Sequence, residues 1–183
     1  MMAQGLTMLI GGARSGKSNL AVRLGEAHCS RRGEGMVTFV ATAQAFDDDM
    51  EERIAHHRAD RPNWPTIEAP LAIEDALEMA PRDHLVIIDC LTLWVSNAVL
   101  EGWSNDDVLL NAQTTAAAAA RRPSPTVVVT NETGLGLHPD TELGRRYRDL
   151  LGRVNQLWAA VADRSLLLVA GRVLPLDDPE EYL

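Results

Sequence analysis

The stretch Leu6-Thr7-Met8-Leu9-Ile10-Gly11-Gly12-Ala13-Arg14-Ser15-Gly16-Lys17-Ser18 decides the fold. Leu6 to Ile10 is a mostly apolar run of strand length, and Ser18 to His28 carries Leu20, Leu24 and Ala27 on one helical stripe. Between them, Gly11, Gly12, Ala13, Arg14, Ser15, Gly16, Lys17 and Ser18 fit the pattern G-x-x-x-x-G-K-[ST]. Glycines there let the backbone curl until its N–H groups point inward at phosphate oxygens, and the helix start adds a favourable dipole. Lys17 would neutralise β/γ-phosphate charge, and Ser18 could ligate Mg²⁺. The alternative is a glycine turn that binds nothing.

Outward from this loop, apolar runs recur at Val37 to Ala41, Leu85 to Ile88, Thr126 to Val129 and Leu166 to Ala170. Runs of this kind without polar alternation belong to a parallel sheet covered on both faces, with helices as the crossovers. The expected fold is α/β: a doubly wound, mostly parallel sheet of the P-loop NTPase (RecA-like) kind. Ser104 with Asp107 three residues on reads as a helix start, leading through Ala116 to Ala120 and ending at Arg121, Arg122 and Pro123. Asp140 to Arg164 is the longest helical pattern, with Leu143, Tyr147, Leu150, Leu151, Val154, Leu157 and Val161 on its stripe. No linker or repeat divides the chain, so residues 1–183 read as a single nucleotide-binding domain. Its last stretch, about 175–183, reads as a frayed acidic tail.

With 183 residues, 46% hydrophobic and 23% charged, the chain has the composition of one ordinary globular domain. Twenty-six acids against 17 basic residues give a net charge of -9, which excludes a general attraction to nucleic acid or an anionic membrane. Any anionic ligand must meet a local basic site. Cys29 and Cys90 lack metal-ligand spacing and a disulfide framework, which fits a reduced, cytoplasmic protein. No apolar run approaches the roughly 20 residues of a membrane span.

A P-loop also calls for an acid at a neighbouring strand tip, and Leu85-Val86-Ile87-Ile88-Asp89 supplies one. Asp89 either helps hold the metal or caps the helix that starts near Leu91. The strand exit Asn131-Glu132-Thr133-Gly134 lacks the Lys and Asp of a guanine reader, and no LSGGQ-like signature occurs, which leaves a small-molecule transferase. Asn131, Glu132, Arg145 and Arg148 either contact phosphates or the acceptor, or form a turn and solvate a helix.

The mostly charged helical pattern from Asp47 to Arg61 buries little and holds the more specific signal. His57 has Arg53 four residues before it, Arg61 four after, and Arg58 beside it. Cations around an imidazole hold it neutral, hence nucleophilic, while the arginines could grip phosphate oxygens. Alternatively, His56 and His57 are solvated, or paired with Glu52 and Asp60.

Taken together, GGARSGKS (11–18), VATAQAFDDDMEERIAHHRADRP (40–62), IIDCLTLWVSN (87–97), VTNETGLG (129–136) and RDLLGRVNQ (148–156) closely resemble one family. It is that of the bifunctional adenosylcobinamide kinase / adenosylcobinamide-phosphate guanylyltransferases of cobalamin biosynthesis. The resemblance implies phosphorylation of adenosylcobinamide by ATP or GTP, then transfer of GMP from GTP to adenosylcobinamide phosphate through a guanylyl-His57 intermediate, assisted by Mg²⁺. It implies catalytic roles for His57 and Lys17, and metal contacts at Ser18 and Asp89. Nucleotide contacts are implied at Gly11 to Ser18, Ala41, Thr42, Ala43, Arg58, Ala59, Asp60, Arg61, Glu68 and Asp89, and the assembly implied is a homotrimer. Relatives often carry Glu at the position of Asp89, so the carboxylate here stands back by about one methylene. A single-activity P-loop kinase of a small metabolite would use the same loop and Asp89 but would not need His57.

Overall fold

The computed structural model describes residues 5–33, 36–44 and 61–183. Among the described residues, seven strands form one sheet, in the order β3-β2-β4-β5-β1-β6-β7. They are β1 (Leu6–Gly11), β2 (Val37–Ala41), β3 (Thr66–Glu68), β4 (Leu85–Asp89), β5 (Thr126–Asn131), β6 (Arg164–Val169) and β7 (Arg172–Leu176). β1 to β6 pair in parallel, and β7 alone runs antiparallel, against β6. The helices described are α1 (Lys17–Arg32), α2 (Ile73–Met79), α3 (Leu91–Leu100), α4 (Asn105–Ala120) and α5 (Glu142–Ala159).

Both faces of the sheet are covered, which is why its central strands read as unbroken apolar runs. Met8, Ile10, Val40, Val86, Ile88 and Val128 alternate to one face, where they pack with buried residues of α2, α3, α4 and α5. Leu9, Val37, Phe39, Leu85, Ile87, Val127 and Val129 alternate to the other, against Ala21 of α1 and Trp64. The alanine run has a packing role: Ala112, Ala116 and Ala119 are buried on α4, and small side chains let it lie close to its neighbours. Ser104 Oγ accepts the Asp107 N–H at 3.1 Å, the cap expected at that helix start.

The longest helix is shorter than its periodicity suggested, ending at Ala159 rather than Arg164. Beyond it, Asp163 is committed to the sheet edge: its carboxylate accepts the Leu6 N–H at 2.7 Å, and its own N–H donates to the Leu6 carbonyl at 2.9 Å. The chain must therefore turn before Asp163, which leaves Val161 exposed, and Leu143 in the first turn is exposed as well.

Two strands and one helix had no clear sequence signal. β3 has three residues and little burial, and α2 has about two turns. β7 is exposed at every residue and contains Pro175, which an edge strand tolerates because its outer N–H needs no ladder partner. The acidic end is therefore more regular than a frayed tail: Pro175 and Leu176 close β7, and Pro179–Tyr182 form a 3-10 turn capped by Asp178. The helix expected from Asp47 to Arg61 lies outside the described residues except for Arg61.

Candidate active site

The register of the parallel strands brings several of the expected residues to the carboxyl edge of the sheet. Gly11 pairs with Asn131, Ala41 pairs with both Asp89 and Glu68, and Asp89 pairs with Val129. In an open α/β sheet this edge is where ligands bind.

At the end of β1 the chain has no room for a side chain at Gly11, where a Cβ would run into the Leu168 carbonyl on β6. Gly16, the N-cap of α1, has φ 101°, a left-handed conformation that glycine adopts without strain. These two positions give the loop from Gly11 to Ser18 its curl. Lys17 is buried at 6% exposure and folds back over the loop, donating to the carbonyls of Gly11 at 3.0 Å and Gly12 at 2.6 Å. Burial lowers its pKa, and the neighbouring Cys90 and Asp89 act in the opposite direction. Lys17 and the acid at the tip of β4 thus face one another electrostatically across the site.

A brace on this loop was missed by sequence reasoning. The β6–β7 hairpin turns through Ala170 (φ 50°) and Gly171 (φ 72°), the left-handed pair of a tight hairpin turn. The Gly171 N–H donates to the Ser15 carbonyl at 3.0 Å. The dipeptide Ala-Gly between two short apolar runs is the only signal that could have revealed it.

Asp89 is half-buried, and the peptide between it and Cys90 is cis. Cys90, not Asp89, is the N-cap residue of α3, and it makes no side-chain cap bond. The helix-capping alternative for Asp89 is therefore not what the structure shows. Thr42 is fully buried, and its hydroxyl accepts the Cys90 N–H and donates to the Cys90 carbonyl, both at 2.7 Å. Its side chain is thus engaged in holding the tip of β4. Asn97 on α3, 2% exposed, donates through Nδ2 to the carbonyls of Thr42 at 2.8 Å and Pro70 at 3.0 Å. Asn97 closed one of the sequence motifs, but only the structure gives it a task. Burial next to Asp89 pushes the Cys90 thiol up to about 12.

Glu68 lies exposed at the end of β3, in register with Ala41. Arg61 stacks its guanidinium 3.6 Å from the centre of the Phe39 ring and donates to Thr66 Oγ1 at 3.0 Å. Ala43 follows Thr42 as β2 leaves the sheet. His57, Arg58, Ala59 and Asp60 lie outside the described residues, as does Arg53. Arg145 donates to the carbonyls of Pro139 and Asp140, and Arg148 pairs with Asp149 at 3.0 Å, so both guanidinium groups have local partners. Among the described residues no group of three or more His, Cys, Asp or Glu could hold a metal ion. Ser18 and Asp89 would offer a hydroxyl and a carboxylate, a hard oxygen pair that suits Mg²⁺, which keeps most of its waters.

The family profile "Cobinamide kinase / cobinamide phosphate guanyltransferase" matches residues 7–176, which contain the loop, the tip of β4 and α5. The chain belongs to this family. It is 41% identical over 173 residues to the bifunctional adenosylcobalamin biosynthesis protein CobP of Pseudomonas aeruginosa, an alignment covering 92% of this chain and 95% of that protein. It is 36% identical over 182 residues to the bifunctional adenosylcobalamin biosynthesis protein CobU of Escherichia coli, covering 91% and 96%. The sequence resemblance is thereby borne out, and with it an enzyme of the cobinamide kinase / cobinamide phosphate guanyltransferase family. More distant likenesses concern the fold alone. The KaiC-like protein PH0186 of Pyrococcus horikoshii aligns over 89% of this chain and 70% of that one, with a TM-score of 0.53 at 13% identity. The flagellar accessory protein FlaH of Methanocaldococcus jannaschii aligns over 92% and 74%, with a TM-score of 0.50 at 15% identity.

Proposed function

We propose that this chain carries out both activities of its family on one loop: phosphorylation of adenosylcobinamide by ATP or GTP, then transfer of GMP from GTP to adenosylcobinamide phosphate. The observation that carries the kinase half is the curled Gly11–Ser18 loop, with Lys17 folded into it and Asp89 at the tip of β4 nearby. β5 lies between the strands that bear Lys17's loop and Asp89, an order that supports a RecA-like P-loop fold. In the first reaction the acceptor hydroxyl attacks the γ-phosphorus as the bond to the bridging oxygen breaks. Loop N–H groups and Lys17 stabilise the charge on the departing diphosphate. Mg²⁺, held by Ser18 and Asp89, would neutralise part of that charge when bound.

In the second reaction a neutral His57 attacks the α-phosphorus of GTP, forming an N–P bond and releasing pyrophosphate. A phosphate oxygen of adenosylcobinamide phosphate then displaces the histidine to give adenosylcobinamide-GDP. Arg58, Ala59, Asp60, Arg61 and Glu68, with Ala41, Thr42 and Ala43, would line the nucleotide. Thr42 serves through its backbone and its hold on Cys90. Residues 1–183 act as one domain, assembled as a homotrimer in the cytoplasm; among the described residues no helix is long and apolar enough to cross a membrane. Nucleic acid is not a partner, in keeping with the net charge of -9.

The test is product analysis by mass spectrometry after incubating purified protein with adenosylcobinamide, ATP, GTP and Mg²⁺. Successive appearance of the phosphate and the GDP derivative supports the reading. Accumulation of the phosphate alone, with excess GTP present, would replace it with the single-activity kinase.

A further inference from the structure

Asn131 is the last residue of β5, the strand that lies between the loop-bearing β1 and the Asp89-bearing β4. Side chains alternate along a strand, and Val127 and Val129 pack on the α1 face of the sheet. Asn131 therefore projects from that same face, as do Gly11 beside it and, one strand over, Asp89. α1 begins at Lys17, so the amide of Asn131 stands on the side where the phosphate loop folds over the sheet edge.

The main chain at this position is held with unusual thoroughness. Its N–H donates to Thr92 Oγ1 on α3 at 2.8 Å, and its carbonyl accepts from Asn155 Nδ2 on α5 at 3.0 Å. Asn155 is 5% exposed, and its own carbonyl oxygen accepts from Thr130 Oγ1, which is fully buried, at 2.8 Å. The following residue, Glu132, donates its N–H to the Gly11 carbonyl at 3.1 Å, tying the tip of β5 to the start of the loop. Buried polar side chains are costly unless fully satisfied, and here they are spent on fixing one strand end. Yet among the described residues the half-buried side-chain amide of Asn131 has no hydrogen-bond partner. A rigid support around an unengaged donor is the arrangement of a preorganised ligand contact.

We propose that Asn131 Nδ2 is a hydrogen-bond donor to the γ-phosphoryl group during its transfer, and so a further catalytic residue of the kinase reaction. The inference rests on the kinase half of the proposed function. A neutral amide suits the place: unlike a carboxylate it does not repel the phosphoryl oxygens, and it leaves the neutralising of their charge to Lys17. As the acceptor hydroxyl oxygen bonds to the γ-phosphorus, the bond to the bridging oxygen breaks and the nucleoside diphosphate leaves with the electron pair. The hydroxyl proton passes to solvent, and Asn131 exchanges none.

Adenosylcobinamide phosphorylation should be followed in the full-length protein with Asn131→Ala and the near-isosteric Asn131→Asp, alongside ATP KM and melting temperature. Removal of one preorganised donor is expected to lower kcat by about 100-fold, with KM changed by no more than about threefold. Asn131→Asp should be at least as slow as Asn131→Ala, since it retains the shape but turns the donor into a negative acceptor. Both should melt within about 2 °C of the parent if the role lies in the reaction rather than the packing. Retention of kcat within twofold by either variant, or a loss matched by a fall in melting temperature, overturns the assignment. An inactive parent that still binds ATP would overturn the kinase reading itself, and this inference with it.

Discussion

Replacing Asn97 by Ala probes how the tip of β4 is held. Asn97 Nδ2 is the donor to two carbonyls, those of Thr42 and Pro70, at 2.8 and 3.0 Å, from a side chain that is almost fully buried. Each buried acceptor left without a partner costs about 1–3 kcal/mol, so two orphaned carbonyls together with the small void cost about 3 kcal/mol. For a chain of this size each kcal/mol corresponds to roughly 2–4 °C, which places the melting temperature about 6–12 °C lower. Asn97→Asp should cost more than Asn97→Ala, because a carboxylate would face both carbonyls at nearly the same distance. Urea unfolding followed by circular dichroism gives the free energy, and the slope should stay constant if only the folded state is affected. A loss below about 1 kcal/mol for Asn97→Ala, or Asn97→Asp more stable than Asn97→Ala, would show that these bonds do not hold the site together.

Further outcomes follow from groups near the loop. With its thiol pushed up to about 12, Cys90 should be alkylated at pH 8 about a thousand times more slowly than an unperturbed cysteine, and at the ordinary rate once the chain is unfolded in urea; mass spectrometry of the labelled peptide reads both. The pKa of Lys17 is lowered from 10.5 by burial, so the folded, nucleotide-free protein loses this proton at a lower pH than the unfolded chain does. Between the two pKa values the unfolded state binds more protons, so this group favours folding more as pH rises, whereas ATP binding, which needs the ammonium, weakens over the same window. Titration calorimetry from pH 7 to 10 should show proton uptake on ATP binding at the alkaline end, abolished in Lys17→Ala. Gly171→Ala should strain the left-handed hairpin tip by about 1–2 kcal/mol and weaken ATP binding through Ser15, while Gly152→Ala, whose Cβ would meet nothing within 4 Å on α5, should stabilise by about 0.5–1 kcal/mol.

The central parallel strands and the loop were legible because one physical rule governs each: an apolar run buried on both faces, and glycines where the backbone must curl around phosphate. Less legible were elements that depend on a neighbour. β7 has alternation too weak to stand alone and exists because β6 offers an edge, while β3 is three residues paired to β2. The end of α5 was misjudged because periodicity continues past Ala159, and only the tertiary demand of Asp163 for Leu6 stops it. Motif chemistry singled out Lys17, Ser18 and Asp89 as candidates, whereas Asn97, Asn155 and Thr92 act by supporting other residues. Their signal, a polar side chain on the buried stripe of a helix, becomes interpretable only when the partner carbonyl is known.

The most direct test of the two-step reaction is incubation with Mg²⁺ and GTP labelled at the α-phosphate, comparing the parent with His57→Ala after denaturing electrophoresis. The α position separates nucleotidylation from phosphorylation. A covalent label that is acid-labile, alkali-stable and absent from His57→Ala is the predicted result. A parent protein that binds GTP in a separate assay yet takes up no label, or a His57→Ala variant labelled as fully as the parent, would contradict it.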